Sequence, residues 1–126
     1  MKLFLMLGLF YIFYILDKSI THKNISLDAS NEANPLVRIS YKYLPRSIRL
    51  LASVAYILAV TFIAIKLPLF YGFWFISVFT MGHVVGFLSW TKLNIYRGRK
   101  LRWNLVFIAI VCFCVIAGYL NARIWF

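Results

Sequence analysis

Residues 50–90 read LLASVAYILAVTFIAIKLPLFYGFWFISVFTMGHVVGFLSW, and their only Lys, Arg, Asp or Glu is Lys66, two positions before Pro68. A helix needs about 20 apolar residues to cross a hydrocarbon core ~30 Å thick. Residues 50–67 and 69–90 each come close to that length on either side of the proline. Lys66-Leu67-Pro68 leaves room only for a tight connection, so the two runs are predicted to form an antiparallel hairpin of membrane-spanning helices. Because proline lacks the amide hydrogen that would continue a helix, the break falls there.

Working outward, residues 91–102 form a basic loop carrying Lys92, Arg97, Arg99, Lys100 and Arg102. Residues 103–120 make a further apolar span, closing on Asn121, Arg123 and the aromatic end Trp125-Phe126. Towards the N-terminus, the apolar run 3–16 is bounded by Lys2 and Asp17. Fourteen residues reach only ~21 Å, so the first helix must continue through Asp17 to about residue 21, tilt, or thin the bilayer locally; the span is taken as about 3–21. A basic start before an apolar stretch also fits a secretory signal. The absence of a small-x-small cleavage site after Leu16, and the Phe and Tyr content of the run, favour a retained helix.

The whole composition agrees. Of 126 residues, 63% are hydrophobic and 13% charged, and the mean hydropathy is +0.85, whereas soluble domains have about a quarter of their residues charged. The sequence therefore predicts an all-α integral membrane protein, a single membrane domain over 1–126 with spans near 3–21, 50–67, 69–90 and 103–120. Too little chain remains for a soluble core. The net charge of +11 would suggest nucleic acid in a soluble protein. Here the basic residues gather between apolar runs, where they set orientation and meet anionic head groups, so no nucleic-acid partner is expected. Residues 17–49 contribute Lys18, Lys23, Arg38, Lys42, Arg46 and Arg49, and 91–102 contribute five more, against Lys2, Lys66 and Arg123 on the other side. That alternation places both loops in the cytoplasm, both termini outside, and the chain in the cytoplasmic membrane. Asn24-Ile25-Ser26 has the form of a glycosylation acceptor but falls on the cytoplasmic side in this topology.

Residues 17–47 hold all three acidic residues, Asp17, Asp28 and Glu32. Asn34-Pro35 reads as a helix start, with Asn34 as N-cap and Pro35 in the first turn. Over 35–44, Leu36, Ile39 and Tyr43 share one face while Arg38 and Lys42 share another. The pattern predicts a short amphipathic helix in the head-group layer, ended by Pro45.

Few residues could carry chemistry. An ionisable group inside a span is costly and is a functional hypothesis by default. His83 lies about two turns from the end of the third span, with Thr80 and Gly86 a turn to either side. It could be a metal, haem or proton-relay ligand. The only other histidine, His22, lies in the polar loop. That shortage of ligands favours a neutral histidine hydrogen-bonded across a helix interface, with no metal and no cofactor. Asp17, Ser19, Thr21 and Glu32 form a second polar group. It reads either as a cation or proton site shared by Asp17 and Glu32, or, preferably, as an interfacial salt-bridge network reaching Arg38 or Arg46. Small residues mark expected packing faces: Ala52, Ala55 and Ala59 on the second span, Gly82 and Gly86 on the third, Cys114 and Gly118 with Asn121 on the fourth. Cys112 and Cys114 project about 200° apart on a helix and cannot pair with each other.

Asp17-x-Ser19-x-Thr21, followed by Glu32-Ala33-Asn34-Pro35-Leu36, resembles a widespread group of small prokaryotic membrane proteins known only as a domain of unknown function. Their signature is a first-helix Asp with a nearby Ser or Thr, then Glu-x-Asn-Pro-Leu before the next helices. The resemblance covers roughly residues 10–40. The more polar loop and the fourth span depart from that group. What it implies is a shared structural core and no particular activity.

No Walker-type loop, HExxH, paired CxxC, GxSxG or carboxylate cluster is present in the sequence. The repeated halves and broken helices of a transporter are not evident either. These observations lead to the expectation of a non-catalytic accessory subunit of a larger integral membrane complex, with other membrane subunits and anionic lipids as partners. Two alternatives stay open: a small homo-oligomeric channel or carrier built on His83 and Asp17, and an enzyme subunit with Asp17, Glu32 and His83 as metal ligands.

Overall fold

A computed structural model describes residues 1–25, 34–91 and 103–126. Among them are five helices and no strand: α1 (Lys2–Ile25), α2 (Pro35–Tyr43), α3 (Arg46–Lys66), α4 (Leu69–Thr91) and α5 (Trp103–Trp125). All but α2 are long and apolar enough to cross a membrane, which makes the chain a multi-pass membrane protein. Glu32, Ser26 and the basic residues Lys92, Arg97, Arg99, Lys100 and Arg102 lie outside the described residues.

The helix ends follow local chemistry. From Asp17 to Ile25 the chain has no Gly or Pro, so α1 runs on through the aspartate. The Asn34 side chain accepts from the Leu36 and Val37 amides at 3.0 and 3.5 Å, and Pro35 opens α2 where its missing N–H is of no consequence. Arg49 closes the α2–α3 joint by donating from Nη1 to the Leu44 carbonyl at 2.7 Å. Helix α3 ends at Lys66 and α4 begins at Leu69, with only Leu67 and Pro68 between them. α5 extends a turn beyond the expected end at Leu120, because Asn121-Ala122-Arg123 offers no helix breaker.

α4 is the central element, packed most extensively on α1, then on α5 and α3. The N-terminal ends of α1 and α4 meet the C-terminal end of α5. There Lys2 Nζ donates to the Trp125 carbonyl at 2.7 Å, and the Phe73 and Phe126 rings lie 5.3 Å apart. The core joins Leu7 and Phe10 of α1, Val60 and Ala64 of α3, Phe73 and Ile76 of α4, and Ala122 of α5. Outside it, Phe4, Leu51, Phe62 and Ile116 are exposed. An apolar surface this continuous is untenable in water, whereas lipid tails are as apolar as leucine.

Small residues set how closely the helices approach. A Cβ on Gly118 would stand 2.8 Å from Val78 Cγ2 and 2.9 Å from its backbone nitrogen, so α4 and α5 touch backbone to backbone there. Beside it Cys114 is buried, and Asn121 donates to Ser77 Oγ at 3.1 Å. Gly82 has open space around it. Ala52, Ala55 and Ala59 are exposed. The inner face of α3 is instead Tyr56, Val60 and Ala64, one residue and about 100° away from the alanine stripe.

Candidate functional site

Phe10, Tyr14, Asp17 and Thr21 recur at helical spacing along α1 and form one stripe. Phe10, Tyr14 and Thr21 are buried, because the stripe faces the rest of the bundle. On α4 the matching line is Ile76, Thr80 and His83. Where the two lines meet, Asp17 Oδ2 lies 2.7 Å from His83 Nδ1. Thr21 Oγ1 donates to the other carboxylate oxygen, Oδ1, at 3.3 Å. The far nitrogen of the imidazole, Nε2, is 2.9 Å from the Tyr56 hydroxyl on α3. One histidine thus ties three helices together through two hydrogen bonds.

Gly86 makes room for the carboxylate. A Cβ at that position would stand 2.6 Å from Asp17 Oδ1 and 3.0 Å from Cγ, closer than such atoms can approach. The imidazole is also boxed by rings. Tyr14 meets it edge-on at 5.0 Å, Phe10 lies at 5.7 Å and Tyr56 at 5.8 Å. Tyr14 stacks on Tyr56 at 5.6 Å. The Tyr14 hydroxyl is buried without a well-formed hydrogen bond, near Ser53, whose own hydroxyl donates to the Arg49 carbonyl at 2.9 Å.

The donor and acceptor inventory limits what this site can do. A carboxylate only accepts, so Nδ1 carries the hydrogen that points at Asp17. With a neutral ring, Nε2 has a lone pair and receives the Tyr56 O–H. With a protonated ring, Nε2–H donates to the tyrosine oxygen instead. Rotation of one hydroxyl hydrogen therefore lets the same heavy-atom geometry hold either state. Both ring nitrogens are already engaged by protein, and no group of three metal-ligating side chains occurs among the described residues.

The structure thus joins Asp17 and His83, which the sequence paired only in its alternative readings. Asp17 was expected to answer Glu32, or Arg38 and Arg46. Its partner is His83, and no ion pair joins it to either arginine. The reason is direction: Asp17 lies on the α1 face that turns towards α4, while Arg46 is exposed and Arg38 sits on α2. Ser19 is exposed on another face of α1. Tyr56 and Tyr14 had no sequence signal beyond being polar aromatics within spans. A scan for Tyr inside apolar runs would have raised both, along with Tyr11, whose hydroxyl bonds Thr61 Oγ1 at 2.8 Å.

On α2, Leu36, Ile39 and Tyr43 are exposed, and Lys42 Nζ lies 5.0 Å over the Tyr43 ring. Where the chain turns into α3, the Arg49 guanidinium lies 4.4 Å over Tyr41.

No family model, curated protein or solved structure matches the chain.

Proposed function

We propose that this chain is a non-catalytic accessory subunit of a larger integral membrane protein complex. The observation that carries this reading is the outward disposition of Ala52, Ala55 and Ala59 on α3. In a bilayer, helices associate by close packing at small residues rather than by escape from water. Among the described residues this stripe is not used to pack α3, so it suits a helix of another subunit. The polar residues of the span, meanwhile, join α1, α3 and α4 to one another and make a firm module for a partner to dock on. Ala55→Trp tests the reading. After gentle extraction from native membranes, wild type should bring a stoichiometric set of other membrane subunits, and the variant should lose them while keeping its own fold. A chain that emerges only with copies of itself would sink the accessory role.

The Asp17–His83 contact at 2.7 Å favours a second reading, a small homo-oligomeric channel or carrier working through these two residues. Intramembrane ionisable pairs mark proton and ion pathways in many transporters. Proteoliposome flux that depends on pH and disappears in His83→Ala is its expectation, and wild-type-like flux in that variant would remove the histidine from any transport mechanism.

Residence in the cytoplasmic membrane, with segments 17–49 and 91–102 on the cytoplasmic side and both termini outside, belongs to the same proposal. Its support is the distribution of Lys and Arg. Helix α2 fits the head-group layer of that leaflet. Its exposed Leu36, Ile39 and Tyr43 would enter the lipid while Arg38 and Lys42 meet anionic head groups.

A further inference from the structure

We propose that the Asp17–His83–Tyr56 cluster is a proton-binding site that exchanges with one side of the membrane only, the side holding the C-terminal end of α1 and the N-terminal end of α3. The inference goes beyond the assembly role and stands whether or not a partner subunit exists.

Depth is the first argument. Asp17 is eight residues from the end of α1 at Ile25, and His83 is eight from the end of α4 at Thr91, which is about 12 Å in each case. The opposite ends of the two helices, Lys2 and Leu69, are about 21–22 Å away.

What fills each route is the second. Towards the nearer side polar groups flank both ends of the cluster: Thr21 donates to the Asp17 carboxylate, and Ser53, one turn from Tyr56 on α3, lies near the buried Tyr14 hydroxyl. Towards the farther side the core between α1, α3 and α4 is filled by Phe10, Val60, Ala64, Phe73 and Ile76, each 4% exposed or less, and the cavity beside it, which runs from Lys2 and Trp125 to Thr80 and Val84, is walled mainly by apolar side chains. The polar groups lying that way are bonded locally: Tyr11 with Thr61, Asn121 with Ser77 and Met6, and Thr80 with the Ile76 carbonyl one turn back. A hydrocarbon plug of this kind offers a proton no acceptor.

The chemistry needs no other reactant. A proton taken up by the Tyr56 hydroxyl lets that hydroxyl pass its own hydrogen to Nε2, which forms the imidazolium and leaves the tyrosine oxygen as the acceptor. The new charge faces the Asp17 carboxylate across the existing Nδ1 hydrogen bond. The titratable groups facing the ring are Asp17 and Tyr14 from α1 and Tyr56 from α3. No hydrogen bond, ion pair or ring contact joins His83 to α2 or α5 among the described residues.

The chain supplies its own control, because its two histidines are His22 and His83. Full-length protein with isotope-labelled histidine is reconstituted into liposomes at unequal orientation, and only the external pH is stepped while ring-nitrogen resonances are recorded. His22→Gln assigns the two signals. The fraction of His22 that responds gives the fraction of molecules with that side outward. The same fraction of His83 is expected to respond. Response of the complementary fraction, of all molecules or of none would overturn the proposal.

Discussion

At the scale of single residues, the centre of this protein is a carboxylate that has room only because its neighbour lacks a side chain. Gly86→Ala places a Cβ 2.6 Å from Asp17 Oδ1. Alanine improves helix propensity by about 1 kcal/mol, while overpacking a close contact costs about 1–3 kcal/mol. The displaced carboxylate also strains its bond to His83, so the second effect wins. Reversible unfolding in mixed micelles should show net destabilisation; unchanged stability would mean that Asp17 has another place to go. The worth of the pair is best read from a cycle of Asp17→Asn, His83→Gln and the double variant. Hydrogen-bonded pairs between membrane helices range from about 0.6 to about 2 kcal/mol. With additional bonds from Thr21 and Tyr56, a coupling of about 1–2 kcal/mol is expected. Additive single variants would show that the 2.7 Å contact contributes no stability.

Between helices, the two expected small-residue contacts of α4 and α5 behave differently. Gly118 holds Val78 so close that any side chain must push α5 off α4, whereas Gly82 has nothing within 4 Å. Gly118→Ala is therefore expected to destabilise by about 1–3 kcal/mol, and Gly82→Ala to be neutral or stabilising by up to about 1 kcal/mol. Thermal unfolding of the two variants side by side checks the contrast, and equal losses would mean that Gly82 faces a helix of another chain. Both glycines sit in equivalent-looking apolar runs. Their difference lies in the rotation of α4, which turns His83 towards α1 and α3 and Val78 towards α5. The alanines of α3 show the same limit. Their spacing announced a contact face, and the face points out of the bundle.

For the molecule as a whole, orientation is the property most open to direct measurement. Lys and Arg in 17–49 and 91–102 outnumber those outside by eleven to three, so single cysteines at Ser40 and the exposed Arg123 in a Cys112→Ala, Cys114→Ala background should label from opposite sides of intact membranes. Ser40 should react only when the cytoplasmic face is open to an impermeant reagent. The reverse pattern would invert the topology, and with it the side from which the proton site is proposed to draw.

The membrane character, the apolar runs and the tight joint at Pro68 were legible in the sequence, because hydrocarbon thickness and proline chemistry act on local stretches of chain. So was the Asn34-Pro35 start of α2, where the cap bonds reach only two and three residues ahead. The polar centre was not. Asp17 and His83 are 66 positions apart, and Tyr56 and His83 are 27 apart. Asp17 and His83 were legible as candidate polar residues, but not their contact, and Tyr56 carried no signal of its own. Which of them meet depends on how α1, α3 and α4 rotate about their axes. That rotation follows from the packing of Phe10, Val60, Ala64 and Ile76 and the room left by Gly86, a balance of many contacts distant in the chain that only the assembled bundle resolves.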